Sequence, residues 1–347
     1  VAGVACASAL ARSGLRVTVF ENGRGFGGRL STRHDRETGV SFDHGAPKLD
    51  CTTDQFRQWL ESQEKEGRVA RWNGNFATVE VSMEEKKCSV RKIEDETPKF
   101  VGTPSMSTVV KSLSSELPLD GRFGVSVKTL KKEGKGWVLK GLEKDKEFSS
   151  EVFDTCILAV HASRTADILQ GSAVHDEFAK VAGEVDSIPS YAMMASFEKP
   201  LPCPSVFDHA VVKGSNVIYS ITHDSAKPGR STESDIWVAH ATPAFARQHF
   251  DEDRNVVAKM MKDEFVRIMH MICEKDIPDP IVLKGHRWGA CFPRVSEPLP
   301  GHCLFDPSSG LGVCGDWCAA ASAEGAFLSG SSLANAILKL HEKGSKM

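Results

Sequence analysis

The stretch VAGVACASALARSGLRVTVFE, residues 1–21, constrains the fold more than any other part of the chain. Ala2, Ala5, Ala7 and Ala9 mix with Val4, Cys6 and Leu10, and alanine is the best helix former. Gly14 suits the left-handed residue that ends such a helix. The alternating, β-branched run 15–20 reads as a strand, closed by Glu21. Small side chains let the helix lie close on a sheet, so the segment reads as the downstream half of a βαβ unit.

In a dinucleotide-binding βαβ unit the third glycine of G-x-G-x-x-G permits tight helix–strand packing, and an acid about 20 residues further on takes ribose hydroxyls. Gly3 fits that glycine and Glu21 fits the acid. This placement puts the first two glycines and the first strand ahead of residue 1, so the expectation is an N-terminally truncated fingerprint with weakened cofactor affinity. An ordinary αβ unit is the competing reading of these residues alone. ENGRGFGGRLSTR, 21–33, then places Arg24, Gly27, Gly28 and Arg29 directly after the acid. Adjacent glycines let backbone approach a ligand closely, and arginine offers a planar fork to phosphate. FDHGA, 42–46, adds a turn containing Gly45 and Ala46.

The far end carries a second signal, LGVCGDWCAAASAEGAFLSG, 311–330. A short apolar strand runs into Gly315-Asp316-Trp317, and a helix is expected from Glu324 to Leu340 on the spacing of Ala326, Leu333, Ala336, Ile337 and Leu340. A helix N-terminus attracts oxygen atoms through its unpaired N–H groups. Between the ends, strands are expected at 123–130, 136–143, 155–162, 191–197, 207–212, 216–222 and 235–241. Helices are expected at 107–117 and 252–273, the latter with a stripe from Val256 to Ile272.

Composition excludes several classes. With 347 residues, 41% of them hydrophobic, the chain can bury a sizeable core; a net charge of −3 offers no basic field for nucleic acid. No apolar run reaches the roughly 18–20 residues of a membrane span. Ten scattered cysteines fit free thiols better than a disulfide framework, and Cys314 and Cys318 make a poor metal site, so no metal is expected. A reducing intracellular compartment is therefore expected; the family resemblance given below implies that it is cytoplasmic or organellar, a plastid included.

Taken together, GGR after an acid, DHGA and GDW…EGA resemble the flavin-containing amine oxidase superfamily, and most closely its renalase-like branch. That resemblance implies a Rossmann-like FAD-binding domain in an α/β fold, interleaved with an α+β substrate domain of antiparallel sheet and helices. It assigns 1–50, 99–162 and 286–347 to the first and 51–98 and 163–285 to the second. By the same resemblance Gly3, Glu21, Arg24, Gly27, Gly28, Arg29, Gly45, Ala46, Val127, Gly315, Asp316, Glu324, Gly325 and Ala326 contact non-covalent FAD. Asp316 would hold the ribityl chain, Val127 would meet adenine through its backbone, and the Gly325 and Ala326 amides would face the pyrimidine oxygens. Met106, in a segment like one that packs beside the flavin, is either a ring contact or core filler.

HRW, 286–288, resembles a substrate-side segment of the family, with Trp288 in the cavity and His286 and Arg287 orienting it or touching substrate. Packing at a domain interface is the other reading of Trp288. The sequence departs from the family at Pro47 and Lys48 after DHGA, at Ser322, where arginine is frequent, and at Gly289, where an aromatic is frequent. The implied reaction moves a hydride from an amine or a dihydronicotinamide-type substrate to flavin N5, with the electron acceptor open and O2 among the candidates. The competing class is a non-catalytic binding protein like the Rab GDP-dissociation inhibitors, which share the architecture.

Overall fold

The computed structural model describes residues 1–82, 84, 87–114, 119–202 and 206–344. It is a mixed α/β chain of two compact units. One comprises 1–28, 110–187 and 292–347; the other comprises 29–109 and 188–291.

In the first unit, helix Ala2–Arg12 forms as the alanine-rich run predicts, and Gly14 follows it at φ +85°. It packs on helix Ala323–Gly344, burying Cys6 and Leu10 with Leu333, Ala334, Ile337 and Cys314. The approach is close: a β-carbon at Gly330 would lie 2.2 Å from the Ala2 carbonyl oxygen. Strand Val17–Glu21 pairs parallel with Leu119–Phe123. Cys156–Leu158 pairs parallel with Leu311–Val313, which also pairs antiparallel with Leu304–Asp306. These parallel pairs are the Rossmann-like part of the fold, but they belong to separate sheets. A cavity of about 1080 Å³ is lined by the consecutive runs 15–22 and 151–160. Side chains alternate across a strand, so unbroken runs line the void with strand edges as well as faces.

Helix Ala162–Ser172, capped by His161, packs on strand Val125–Glu133, which accounts for residues 163–187 joining this unit rather than the substrate part. The expected strand 155–162 is correspondingly short, ending at Leu158. The expected helix at 107–117 is seen over Ser107–Ser114, and residues 115–117 lie outside the described residues.

The second unit holds a seven-stranded sheet in the order Val282–Pro293, Ser187–Phe197, Asp235–Ala241, Ile218–His223, His209–Lys213, Phe76–Ser82, Lys87–Lys92. Helix Arg254–Cys273 starts where the Asp253 carboxylate accepts the Asn255 and Val256 amides. It buries Val257, Met261, Phe265, Ile268 and Met269 against Tyr191, Phe197 and Trp237. The stripe is narrower than its sequence suggests, because Val256 is 50% exposed. Segments 29–50 and 99–109, expected in the cofactor domain, sit here. Leu49–Asp50 and Val69–Arg71 both pair with Lys99–Gly102, and a buried ion cluster ties 43 to 227 and 230. Cys273 is disulfide-bonded, against the expectation of free thiols; Cys6, Cys51, Cys88, Cys156, Cys291, Cys303, Cys314 and Cys318 are free. Among the described residues no helix is long and apolar enough to cross a membrane.

Candidate functional site

In the first unit, Gly3, Glu21, Gly27, Gly28 and Val127 line the one cavity just described. Gly3 comes so close to Ala159 that a β-carbon would lie 2.8 Å from the Ala159 Cβ, which is the packing demanded of a third fingerprint glycine. Glu21 ends its strand, and its Oε1 accepts the Gly23 amide at 2.6 Å. Gly28 takes φ +53°, in the left-handed region. Val127 sits at a register shift in its strand, and its carbonyl accepts the Arg164 guanidinium at 2.7 Å. Arg24 is exposed and does not line the cavity. A void of this size with Gly3, Gly27, Gly28 and a strand-terminal carboxylate on its wall fits the adenosine and pyrophosphate end of a dinucleotide.

Gly315 and Asp316 form the turn after strand Leu311–Val313, apart from that cavity lining. Asp316 and Glu324 are buried. The Gly315 amide donates to Ser329 Oγ at 3.0 Å. The Gly325 amide donates to Ser322 Oγ at 2.9 Å and the Ala326 amide to the Ser322 carbonyl at 3.0 Å. Ser322 therefore engages the two amides that the resemblance aimed at the pyrimidine oxygens.

In the second unit, Gly45 lies against Arg29: a β-carbon there would be 1.9 Å from the Arg29 carbonyl oxygen, which also accepts the Ala46 amide at 2.9 Å. The Arg29 guanidinium donates to the Cys291 carbonyl at 2.8 Å. Gly45→Ala forces this contact apart. We expect it to lower stability by about 1–3 kcal/mol, as overpacking does, and to weaken flavin binding. A melting curve and a flavin titration check both; unchanged values in the two would show the contact to be dispensable.

The same turn supplies two residues that pattern reading passed over. Asp43 is buried, and its Oδ1 accepts Thr32 Oγ1 at 2.7 Å and the Met106 amide at 3.0 Å. Its Oδ2 faces Lys227 Nζ at 3.3 Å and Arg230 Nη2 at 2.5 Å. Lys227 also reaches Asp224 at 2.5 Å. Burial works to raise the Asp43 pKa, but the Lys227 and Arg230 charges outweigh it and hold the carboxyl well below the usual range. Burial pushes Asp224 the other way, upward. Met106 is fully buried, and its sulfur accepts the Gly102 amide, as a packing residue would.

His44 is the second. Its ring stacks on Trp288 with centroids 5.0 Å apart and meets His286 edge-on at 4.6 Å; His286 and Trp288 are 4.3 Å apart. The His44 carbonyl accepts Trp288 Nε1 at 2.9 Å and lies 3.2 Å from His240 Nε2. Its Nδ1 is buried without a hydrogen-bond partner. Burial drives these imidazoles down, His44 to about 3, His240 to about 4 and His286 to about 4, so all three are neutral at pH 7. Arg287 stands apart from the cluster, over the Phe250 ring, and donates to the Phe250 carbonyl. Among the described residues no group of three or more His, Cys, Asp or Glu side chains is arranged to hold a metal ion.

Comparison with known proteins divides the chain differently, into two consecutive stretches. Residues 1–62 match the model of an NAD(P)-binding Rossmann-like domain, and residues 60–338 match that of flavin containing amine oxidoreductases. Among solved structures, the chain resembles putrescine oxidase at 13% identity, TM-score 0.70, covering 97% of each chain. It resembles cyclohexylamine oxidase from Brevibacterium oxydans IH-35A at 10% identity, TM-score 0.69, covering 98% of this chain and 97% of that one. An oxidoreductase from Methanosarcina mazei matches at 12% identity, TM-score 0.68, covering 98% of both. At these identities the structures speak for the fold alone.

Proposed function

Because the chain belongs to the flavin-containing amine oxidoreductase family, we propose that it is an FAD-dependent oxidoreductase of the renalase-like type, acting on an amine or dihydronicotinamide-type small molecule. The observation that carries the reading is the family match over 60–338, joined to a cavity walled by Gly3, Glu21, Gly27 and Gly28. FAD, when bound without a covalent link, supplies a two-electron acceptor that takes a hydride at N5.

The chain's own residues hold and shape. Glu21 binds ribose hydroxyls, and Gly27, Gly28 and Arg29 meet the pyrophosphate. Val127 meets the adenine through its backbone, and Asp316 holds the ribityl chain. Trp288 and His286 wall the substrate side, and neutral imidazoles keep that wall uncharged at pH 7. Arg287 acts on orientation through Phe250. A non-catalytic role like that of Rab GDP-dissociation inhibitors is the weaker reading, since the matched family is one of oxidoreductases.

The purified protein is expected to be yellow or to turn yellow with added FAD, and Glu21→Ala is expected to weaken FAD binding tenfold or more. Anaerobic mixing with NADH, NADPH, their isomers and a panel of amines is expected to bleach the flavin with at least one. Protein that stays colourless in excess FAD would overturn the reading; a yellow protein bleached by none would leave a flavin-binding scaffold.

A further inference from the structure

We propose that Arg33 and Arg254 form an anion subsite beside the His44–His286–Trp288 cluster, taking a carboxylate or phosphate group carried by a planar substrate. The proposal rests on reading that cluster as a substrate wall and adds the charge of what it receives. Two backbone contacts bring the arginines there. Arg33 pairs with Phe42, two residues before His44, and Lys284 Nζ bonds Asp35 at 3.1 Å, fixing this hairpin to the strand that carries His286. On the other side a β-carbon at Gly285 would lie 2.0 Å from the Arg254 carbonyl oxygen, so the residue next to His286 touches the start of helix Arg254–Cys273. Both guanidinium charges reach the His286 ring and add to the effect of burial in disfavouring its protonation.

Neither guanidinium has a hydrogen bond or an ion pair among the described residues; Arg33 is half-buried and Arg254 is exposed at the rim. Several other arginines of the unit are matched, Arg230 to Asp43, Arg267 to Glu264, Arg71 to Glu61 and Glu64, while Arg36 is exposed and, among the described residues, unpaired but lies away from the cluster's strand. Nearby acids are already engaged. Asp35 bonds Lys284 and the Glu37 and Thr38 amides, Asp253 caps its helix, and Glu252 bonds His249. Asp251 is exposed, and its charge bears on Tyr191. The second observation is His44 Nδ1, a buried ring nitrogen without a partner in the same cluster. An unpaired buried polar atom is costly, and a ligand hydrogen bond removes that cost. Two unpaired cations, an indole face and a vacant imidazole nitrogen together select a planar, anion-bearing molecule and disfavour a diamine.

The probes are nicotinate and phenyl phosphate, with nicotinamide and benzylamine as neutral and cationic controls. Binding is read by tryptophan fluorescence and by perturbation of the flavin spectrum. The expected result is at least tenfold tighter binding of nicotinate or phenyl phosphate than of nicotinamide. In the Arg33→Gln, Arg254→Gln double variant that preference is lost, with nicotinamide binding and the far-UV spectrum unchanged. The two anions distinguish a carboxylate from a phosphate site. Equal affinity for all four probes, or an unchanged preference in the double variant, would overturn the proposal. Colourless protein that binds nicotinate in an arginine-dependent way would retain the subsite and remove the flavin reading, so the two fail separately.

Discussion

Asp43→Asn is expected to lower the free energy of unfolding by about 3–5 kcal/mol, the usual consequence of removing one partner of a buried ion pair. The carboxylate is the junction of three segments. Thr32 and Met106 hydrogen-bond to one oxygen, and Lys227 and Arg230 converge on the other. Lys227 is fully buried, so the loss of the anion leaves its charge facing Asp224 alone. Asparagine keeps the shape and one acceptor, which confines the change to charge. Urea unfolding gives the result directly; a change below about 1 kcal/mol, the range of an exposed pair, would show that the network does not hold the turn. Because the same turn carries His44, Gly45 and Ala46, the variant is also expected to lower flavin affinity.

Acidification is expected to destabilise the protein already at pH values above those at which carboxylates titrate. His44, His209 and His240 are buried, and burial lowers them to about 3, 3 and 4. In the unfolded chain each returns to about 6.5. The unfolded state therefore binds more protons at intermediate pH, so this stability is fully present above pH 6.5 and is lost as pH falls toward 4. Each imidazole contributes a slope of about 1.4 kcal/mol per pH unit, and three give about 4 kcal/mol per unit near pH 5. Asp43 acts in the same direction but only below about pH 4, where its unfolded form protonates. Urea midpoints at pH 7.5, 6 and 5 check the sign: a steep fall is expected, and equal midpoints at 7.5 and 5 would show these rings to be solvated.

Local chemistry was readable where the partners are near in sequence. The alanine-rich helix, Gly14, the strand to Glu21 and the tight seat of Gly3 all follow from the first 21 residues. The long helix after Asp253 is legible from its cap and spacing, although spacing alone overstated its buried face at Val256 and Met260. The ion cluster was not legible. Lys227 and Arg230 sit in a proline–glycine loop whose charges look solvated until the fold brings Asp43 to them from more than 180 positions away. Asp43 and His44 gave a weak signal, as polar residues between Phe42 and Gly45 in a tight turn. Ser322 shows the opposite case: its hydroxyl accepts the Gly325 amide at the helix start, and only the three-dimensional geometry reveals that partner.

The divided sheet of the first unit has a consequence for how this chain meets other chains. Strand edges present rows of amide and carbonyl groups, and a bare edge is a template for further pairing. Val17–Glu21 is partly exposed along its whole length, and Val152 and Val160, which also line the void, are 51% and 38% exposed. These margins, like Val256 and Met260 on helix Arg254–Cys273, are apolar surface open to contact with other chains.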